Sequence, residues 1–165
     1  MKPILSFCAG LIVLACMSFS LPANAEPELI LHGFRAPSTG VELRDGWIGF
    51  HVGFYPTTID RGSEGPRTTW FVKTGLAAYW AQFDTGSGRM SGFYSGVSLV
   101  QGLNHEWNVS QSTKHGAGMV VESGFSWAVY RGLELRLGAA WLVGFDGRMR
   151  VNPTPGIGWA IPLGR

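Results

Sequence analysis

Between Gly116 and Phe145 the chain reads GAGMVVESGFSWAVYRGLELRLGAAWLVGF, an alternation of apolar with small or polar residues broken once, at Tyr130-Arg131-Gly132. Met119, Val121, Phe125, Trp127 and Val129 fall on one face of the first half, with Glu122, Gly124, Ser126 and Ala128 on the other. After the break, Leu133, Leu135, Leu137, Ala139, Trp141, Val143 and Phe145 oppose Glu134, Arg136, Gly138, Ala140 and Gly144. A period of two sustained over ten or more residues is a strand pattern. Strands this long exceed the five or six residues usual in globular sheets.

The same alternation divides the chain into eight segments, about 28–35, 39–44, 47–56, 67–83, 89–102, 117–129, 133–145 and 151–163. Hairpin register tests the division, because a slip by one residue would send every side chain to the wrong face. Asp45-Gly46 is a strong two-residue turn pair. It sets Glu42 against Gly49, Val41 against Phe50 and Leu43 against Ile48, with Glu42, Arg44, Trp47, His51 and Tyr55 on the other face. For the hairpin at 130–132 a two-residue turn would mix faces. A three-residue loop pairs Val129 with Leu133, Trp127 with Leu135 and Val121 with Trp141, and expects Gly132 in the left-handed region. A four-residue loop, Thr85 to Gly88, sets Trp80 against Phe93 and Leu76 against Val97. Turns at 45–46, 84–88 and 130–132 are short, whereas connections at 57–66 and 103–116 are long and 146–150 is intermediate. Short turns at one end, longer loops at the other and an even strand count form the transmembrane barrel pattern.

The N-terminus is expected to leave before folding. Met1-Lys2, a largely apolar run from Ile4 to Leu21 and the Ala23-Asn24-Ala25 site read as a signal peptide over 1–25. That leaves a single domain over 26–165. Val13-Leu14-Ala15-Cys16 offers an alternative cut before Cys16, as in a lipoprotein. Both cysteines, Cys8 and Cys16, lie in the leader, so the mature chain has no disulfide, thiol nucleophile or cysteine metal site. Without Lys2 it carries twelve Lys and Arg against eleven Asp and Glu, with no basic run, which excludes a nucleic-acid footprint.

The apolar face has two possible destinations, a soluble core or lipid. The opposite face holds Glu42, Arg44, His51, Lys73, Glu122, Glu134 and Arg136. Inside a narrow barrel these must form a paired polar network, and their signs nearly balance. Trp70 and Trp80 share a face of one strand, ten residues and therefore roughly 33 Å apart. Tilted into a barrel, that projects to about 25 Å, the height of the apolar band between two aromatic girdles. Trp127, Trp141 and Trp159 join them on the outward face.

The leader, the cysteine-free mature chain, the eight long alternating strands and the girdle tryptophans resemble the small eight-stranded outer-membrane β-barrels of Gram-negative bacteria. The resemblance spans about 28–163 and rests on pattern. It implies an all-β, eight-stranded antiparallel up-and-down transmembrane β-barrel in the outer membrane, porin-like in architecture. It also implies a monomer in contact with lipid and lipopolysaccharide, inserted by the outer-membrane insertion machinery. Such chains usually end in an aromatic residue. This one ends Ile161-Pro162-Leu163-Gly164-Arg165, which keeps a soluble periplasmic ligand-binding barrel as the alternative.

Eight strands enclose room for side chains or one small ligand, so no general pore is expected. Some barrels of this size modify lipid A, and Asn104 to His115 supplies His105, Glu106, Ser110, Ser112 and His115, the residue types of a base, an orienter and a nucleophile. Their spacing lacks the His-x-Ser pair of the deacylases, and two histidines without a third ligand make a weak metal pattern. The expectation is a non-enzymatic structural or surface-interaction barrel without cofactor or metal.

Overall fold

Alternating side chains commit each long segment to a sheet with two unlike faces, and the strands satisfy this by closing on themselves. The structure, a computed structural model, describes residues 26–34, 39–60, 66–103, 117–145 and 149–164. The expected signal peptide and the 104–116 segment with His105, Glu106, Ser110, Ser112 and His115 lie outside the described residues. Nine strands follow in order: β1 (Glu28–Phe34), β2 (Thr39–Asp45), β3 (Ile48–Asp60), β4 (Pro66–Asp84), β5 (Met90–Gly102), β6 (Ala117–Tyr130), β7 (Leu133–Gly144), β8 (Met149–Pro153) and β9 (Gly156–Pro162). Each pairs antiparallel with its neighbour from β1 to β7, and β9 joins β7 to β1, which closes an eight-stranded barrel.

The additional strand, β8, pairs with β7 alone. It holds the register that β9 continues, since Ala139 faces Pro153 and Arg136 faces Gly156. At the junction Thr154 N–H donates to the Gly138 carbonyl at 2.9 Å, whereas Pro155 has no N–H to give. The segment expected over 151–163 is therefore two collinear strands.

Three turns differ from expectation in ways that preserve the faces. The first hairpin turns at Gly46-Trp47, because Asp45 pairs with Ile48. Glu42 then opposes His51 and Leu43 opposes Phe50, a register moved by two residues. Gly46 supplies the positive φ of 56° that such a turn demands. At the second, Trp80 opposes Phe93 and Leu76 opposes Val97 as expected, but a bulge follows Trp80. Ala81 takes φ 47° there, and the loop lengthens to 85–89. At the third, Trp127 still opposes Leu135, yet Val129 is bulged out and Tyr130 pairs with Leu133.

Gly132 is not left-handed; Arg131 is, at φ 46°. Glycine at 132 serves close approach instead. A Cβ there would lie 2.6 Å from the Ala160 carbonyl and 2.8 Å from the Trp159 ring. The Gly132 carbonyl accepts from Ala160 N–H at 2.8 Å, tying the turn to β9.

Of the long connection expected at 57–66, the described residues, 57–60 and 66, are strand. β3 and β4 stay paired to Asp60 and Pro66, while β2 pairs with β3 only as far as Phe54 and β5 pairs with β4 only from Phe71. The end of this hairpin therefore rises as a two-stranded ribbon among the described residues.

Two variants separate the roles of the neighbouring turn residues. Arg131→Gly is expected to stabilise by up to about 1 kcal/mol by relieving left-handed strain. Gly132→Ala is expected to destabilise by about 1–3 kcal/mol through overpacking. Urea unfolding midpoints read both, and the opposite order would place the left-handed residue at 132.

Candidate functional site

The strands that close the barrel turn their polar faces inward, so the candidate site is the interior itself. At the end carrying the short turns, Glu28 of β1, Glu134 of β7 and Arg89 of the 85–89 loop meet. Arg89 donates Nε to Glu28 Oε1 at 2.6 Å and Nη2 to Glu134 Oε2 at 3.0 Å. Burial disfavours the charged guanidinium, but Glu28 and then Glu134 outweigh that and hold its pKa above the ordinary value. Thr85 hydroxyl donates to the Ala128 carbonyl at 3.0 Å and keeps the loop folded against β6.

Deeper in, two arginines and two glutamates interlock. Arg44 grips Glu134 with both Nη atoms at 3.0 Å, a bidentate pair, and gives Nε to Glu42 at 3.1 Å. Arg136 gives Nε to Glu134 at 2.8 Å and Nη2 to Glu42 at 3.0 Å. Tyr79 donates its hydroxyl to Glu42 at 2.5 Å, accepts from Arg136, and lies with its ring 3.8 Å from the Arg44 guanidinium carbon. His32 Nε2 completes the shell of Glu42 at 3.2 Å. Both carboxylates are fully buried.

Above this layer lie two separate contacts. Lys73 Nζ donates to Glu122 Oε2 at 2.8 Å, with both side chains at 0% exposure. His51 Nε2 lies 2.9 Å from Ser98 Oγ. They reach each other over Gly75, which stands between them in the ladder. A histidine against a serine hydroxyl is the contact that a nucleophile and its base require. Here both residues are buried to 2% or less, and the contact is a hydrogen bond inside the wall. Toward the opposite end the interior becomes apolar, with Tyr55, Phe71, Val100, Val120, Ala140 and Leu142 packed together.

The structure thus gathers Glu42, Arg44, Glu134 and Arg136 into one network, pairs Lys73 with Glu122 and sets His51 against Ser98. Glu28, His32, Tyr79, Arg89 and Ser98 belong to the same interior. Strand parity alone would place Tyr79 with Lys73 and Ser98 with Tyr94. Arg89 carries no such signature, since its role depends on how a turn folds back. Trp47, grouped by parity with the inward set, sits exposed in the turn, where its carbonyl accepts from Tyr79 N–H at 2.7 Å.

Outside, the partition inverts. Phe50, Leu76, Leu99, Leu137 and Ile157 are exposed, Leu137 at 68% and Leu99 at 58%. Trp70, Trp127, Trp141 and Trp159 are exposed with them. Trp80 is half-buried, stacked on Phe93 at 5.1 Å, and donates Nε1 to Ser95 Oγ at 3.3 Å. Among the described residues no group of three metal-ligating side chains converges. Comparison with protein-family models, curated proteins and solved structures finds no match to the chain.

A buried ion pair stripped of one partner leaves an uncompensated charge. Lys73→Met is therefore expected to cost on the order of 3–5 kcal/mol. Adding Glu122→Gln should restore much of that loss. Chemical denaturation of the single and double variants measures the coupling, and additive losses would refute an interdependent pair.

Proposed function

We propose that this chain is an outer-membrane β-barrel protein of structural or surface-interaction type, with a filled interior and no general pore. The observation that carries the reading is the inverted partition of the barrel. Every strand turns large apolar side chains outward, from Leu31 on β1 to Ile161 on β9, while the fully buried set includes Lys73, Glu42, Glu122 and Glu134. Soluble monomers rarely expose a contiguous apolar patch beyond a few hundred Å². A belt continuous around a closed barrel suits hydrocarbon as its solvent, where the backbone must find its hydrogen bonds within the protein.

The tryptophans support the same reading. Trp127 and Trp159 pair with Leu135 and Leu133, beside the 131–132 turn, and Trp80 precedes the 85–89 turn. Trp70 and Trp141 lie toward the opposite strand ends. Two belts flanking an aliphatic band are what interfacial anchoring requires. With the lumen occupied by side chains, contact with other molecules falls to the surface, and the β3–β4 ribbon is the element that projects furthest from the closed wall among the described residues. Lipid and lipopolysaccharide are its proposed neighbours, and insertion requires the outer-membrane machinery.

Fractionation of Gram-negative cells expressing the full chain tests this directly. The protein is expected to stay with outer membranes through carbonate extraction and to change gel mobility on boiling. Release by carbonate alone would favour the soluble periplasmic barrel. Lipid A mass profiles are expected to be the same with and without the protein, and a changed profile would instead favour a lipid-modifying enzyme.

A second test acts on one residue. Leu76 lies outward between Trp70 and Trp80 and is half exposed, so on a soluble barrel Leu76→Arg would be nearly neutral. In a bilayer it is expected to cost about 2–4 kcal/mol. Folding into lipid vesicles, read by unfolding midpoint, distinguishes the two.

A further inference from the structure

On the inner wall β6 and β7 bring two glycines face to face, Gly124 against Gly138. Two residues to one side, Ser126 opposes Arg136, and two to the other, Glu122 opposes Ala140. Tyr94 of β5 pairs with Gly124. Its hydroxyl reaches over Gly138, where a Cβ would lie only 3.0 Å from it. From the far side Thr154, at the β8–β9 junction, is held against Gly138 by its N–H. The glycine pair is thus ringed by Glu122, Ser126, Arg136, Thr154 and Tyr94.

Each of these five residues is at most 4% exposed. Glu122 Oε1, Ser126 Oγ and Arg136 Nη1 have no hydrogen-bond partner, and the Tyr94 and Thr154 hydroxyls have none but each other. One such orphan costs about 1–3 kcal/mol. Three on neighbouring positions, with Glu122 Oε1 turned toward Gly96 of β5, where a Cβ would lie 3.1 Å from it, would consume a large part of the stability of a domain this size. The set is also chemically matched, with a guanidinium N–H that donates, a carboxylate oxygen that accepts and three hydroxyls that do either.

Charge then selects the occupant. The fully buried acids around the patch, Glu42, Glu122 and Glu134, are balanced by Arg44, Lys73 and Arg136. An added anion or cation would upset that balance, and an apolar guest would leave Glu122 Oε1, Ser126 Oγ and Arg136 Nη1 unpaired. A neutral molecule that both donates and accepts fits.

We propose that an ordered water cluster, on the order of two to three molecules, is built into the barrel at the Gly124–Gly138 pair. It accepts from Arg136 Nη1, donates to Glu122 Oε1, and is held by the hydroxyls of Tyr94, Ser126 and Thr154. The cluster joins the Glu42–Arg44–Glu134–Arg136 network to the Lys73–Glu122 pair, making one continuous polar core beneath the apolar end of the barrel. The inference holds whether the barrel lies in a membrane or in water.

A crystal structure of the purified full chain, at a resolution that shows ordered solvent, tests it alongside Thr154→Val, which removes one hydroxyl at nearly constant shape. The wild type is expected to show waters within hydrogen-bond distance of both Arg136 Nη1 and Glu122 Oε1. The variant is expected to lose at least one of them with the backbone unmoved. Direct side-chain bonds closing the patch, with no solvent density, would overturn the proposal, as would a buffer ion in the same place. Should the variant not fold, water-to-protein cross-relaxation at the Gly124 and Gly138 amides of the wild type decides. Long-lived contacts support the cluster and their absence overturns it.

Discussion

A carboxylate enclosed by a narrow barrel must be matched in charge and in hydrogen bonds, and the placement of Glu134 meets that demand most fully. It accepts from Arg44, Arg89 and Arg136, which come from β2, the β4–β5 loop and its own strand. Arg44 and Arg136 then converge on Glu42. Residues some ninety positions apart are fixed to one another, so the network ties β2 to β7 across the strands that close the barrel. Remove the match and the interior holds several unpaired charges, each costing several kcal/mol to keep from water. The wall and its polar filling therefore stand or fall together.

The same logic explains why the interior is divided. The ionic layers occupy the end bearing the short turns, and Phe71, Val100, Val120 and Leu142 pack the other. The ionic layers use planar guanidiniums sandwiched with Tyr79 and Tyr94, with the Arg136 guanidinium carbon 5.2 Å from the Tyr94 ring. Ring faces and carboxylates together accommodate a cation better than either alone. Lys73, at the boundary, has a compact ammonium and needs only Glu122.

What the sequence makes legible follows from which physical property is local. Face assignment is local: Glu42, Glu122, Glu134 and Arg136 alternate with Leu43, Val121, Leu133 and Leu137, and that alternation forces two unlike surfaces. Register is less so. In the first hairpin the pairing moved by two residues and the turn to Gly46-Trp47, which took Trp47 into the turn but left the faces of the paired residues unchanged, so the hydrophobic pattern could not detect the shift. Bulges are less legible still, since Ala81 and Arg131 adopt positive φ without being glycine or asparagine. Partner identity is the least legible property. That Arg44 meets Glu134 depends on how far the strands stagger around the barrel, and that Arg89 reaches Glu28 depends on a loop folding over the mouth.

A filled lumen also constrains where any interaction can occur. A solute crossing the barrel would have to displace the Arg89–Glu28 contact, break a network in which each guanidinium serves more than one carboxylate, and then shed its own water among Phe71, Val120 and Leu142. Each step opposes the next, because a charged solute suited to the ionic end is disfavoured at the apolar end. Beyond the filled wall the β3–β4 hairpin stands apart. From Pro56 to Asp60 and from Pro66 to Thr69 its strands pair with each other and with no third strand among the described residues, a ribbon roughly 17 Å tall at 3.3–3.4 Å per residue. Two strands alone are marginally stable in water. A ribbon unsupported by a third strand therefore depends for its stability on the wall in which it is rooted.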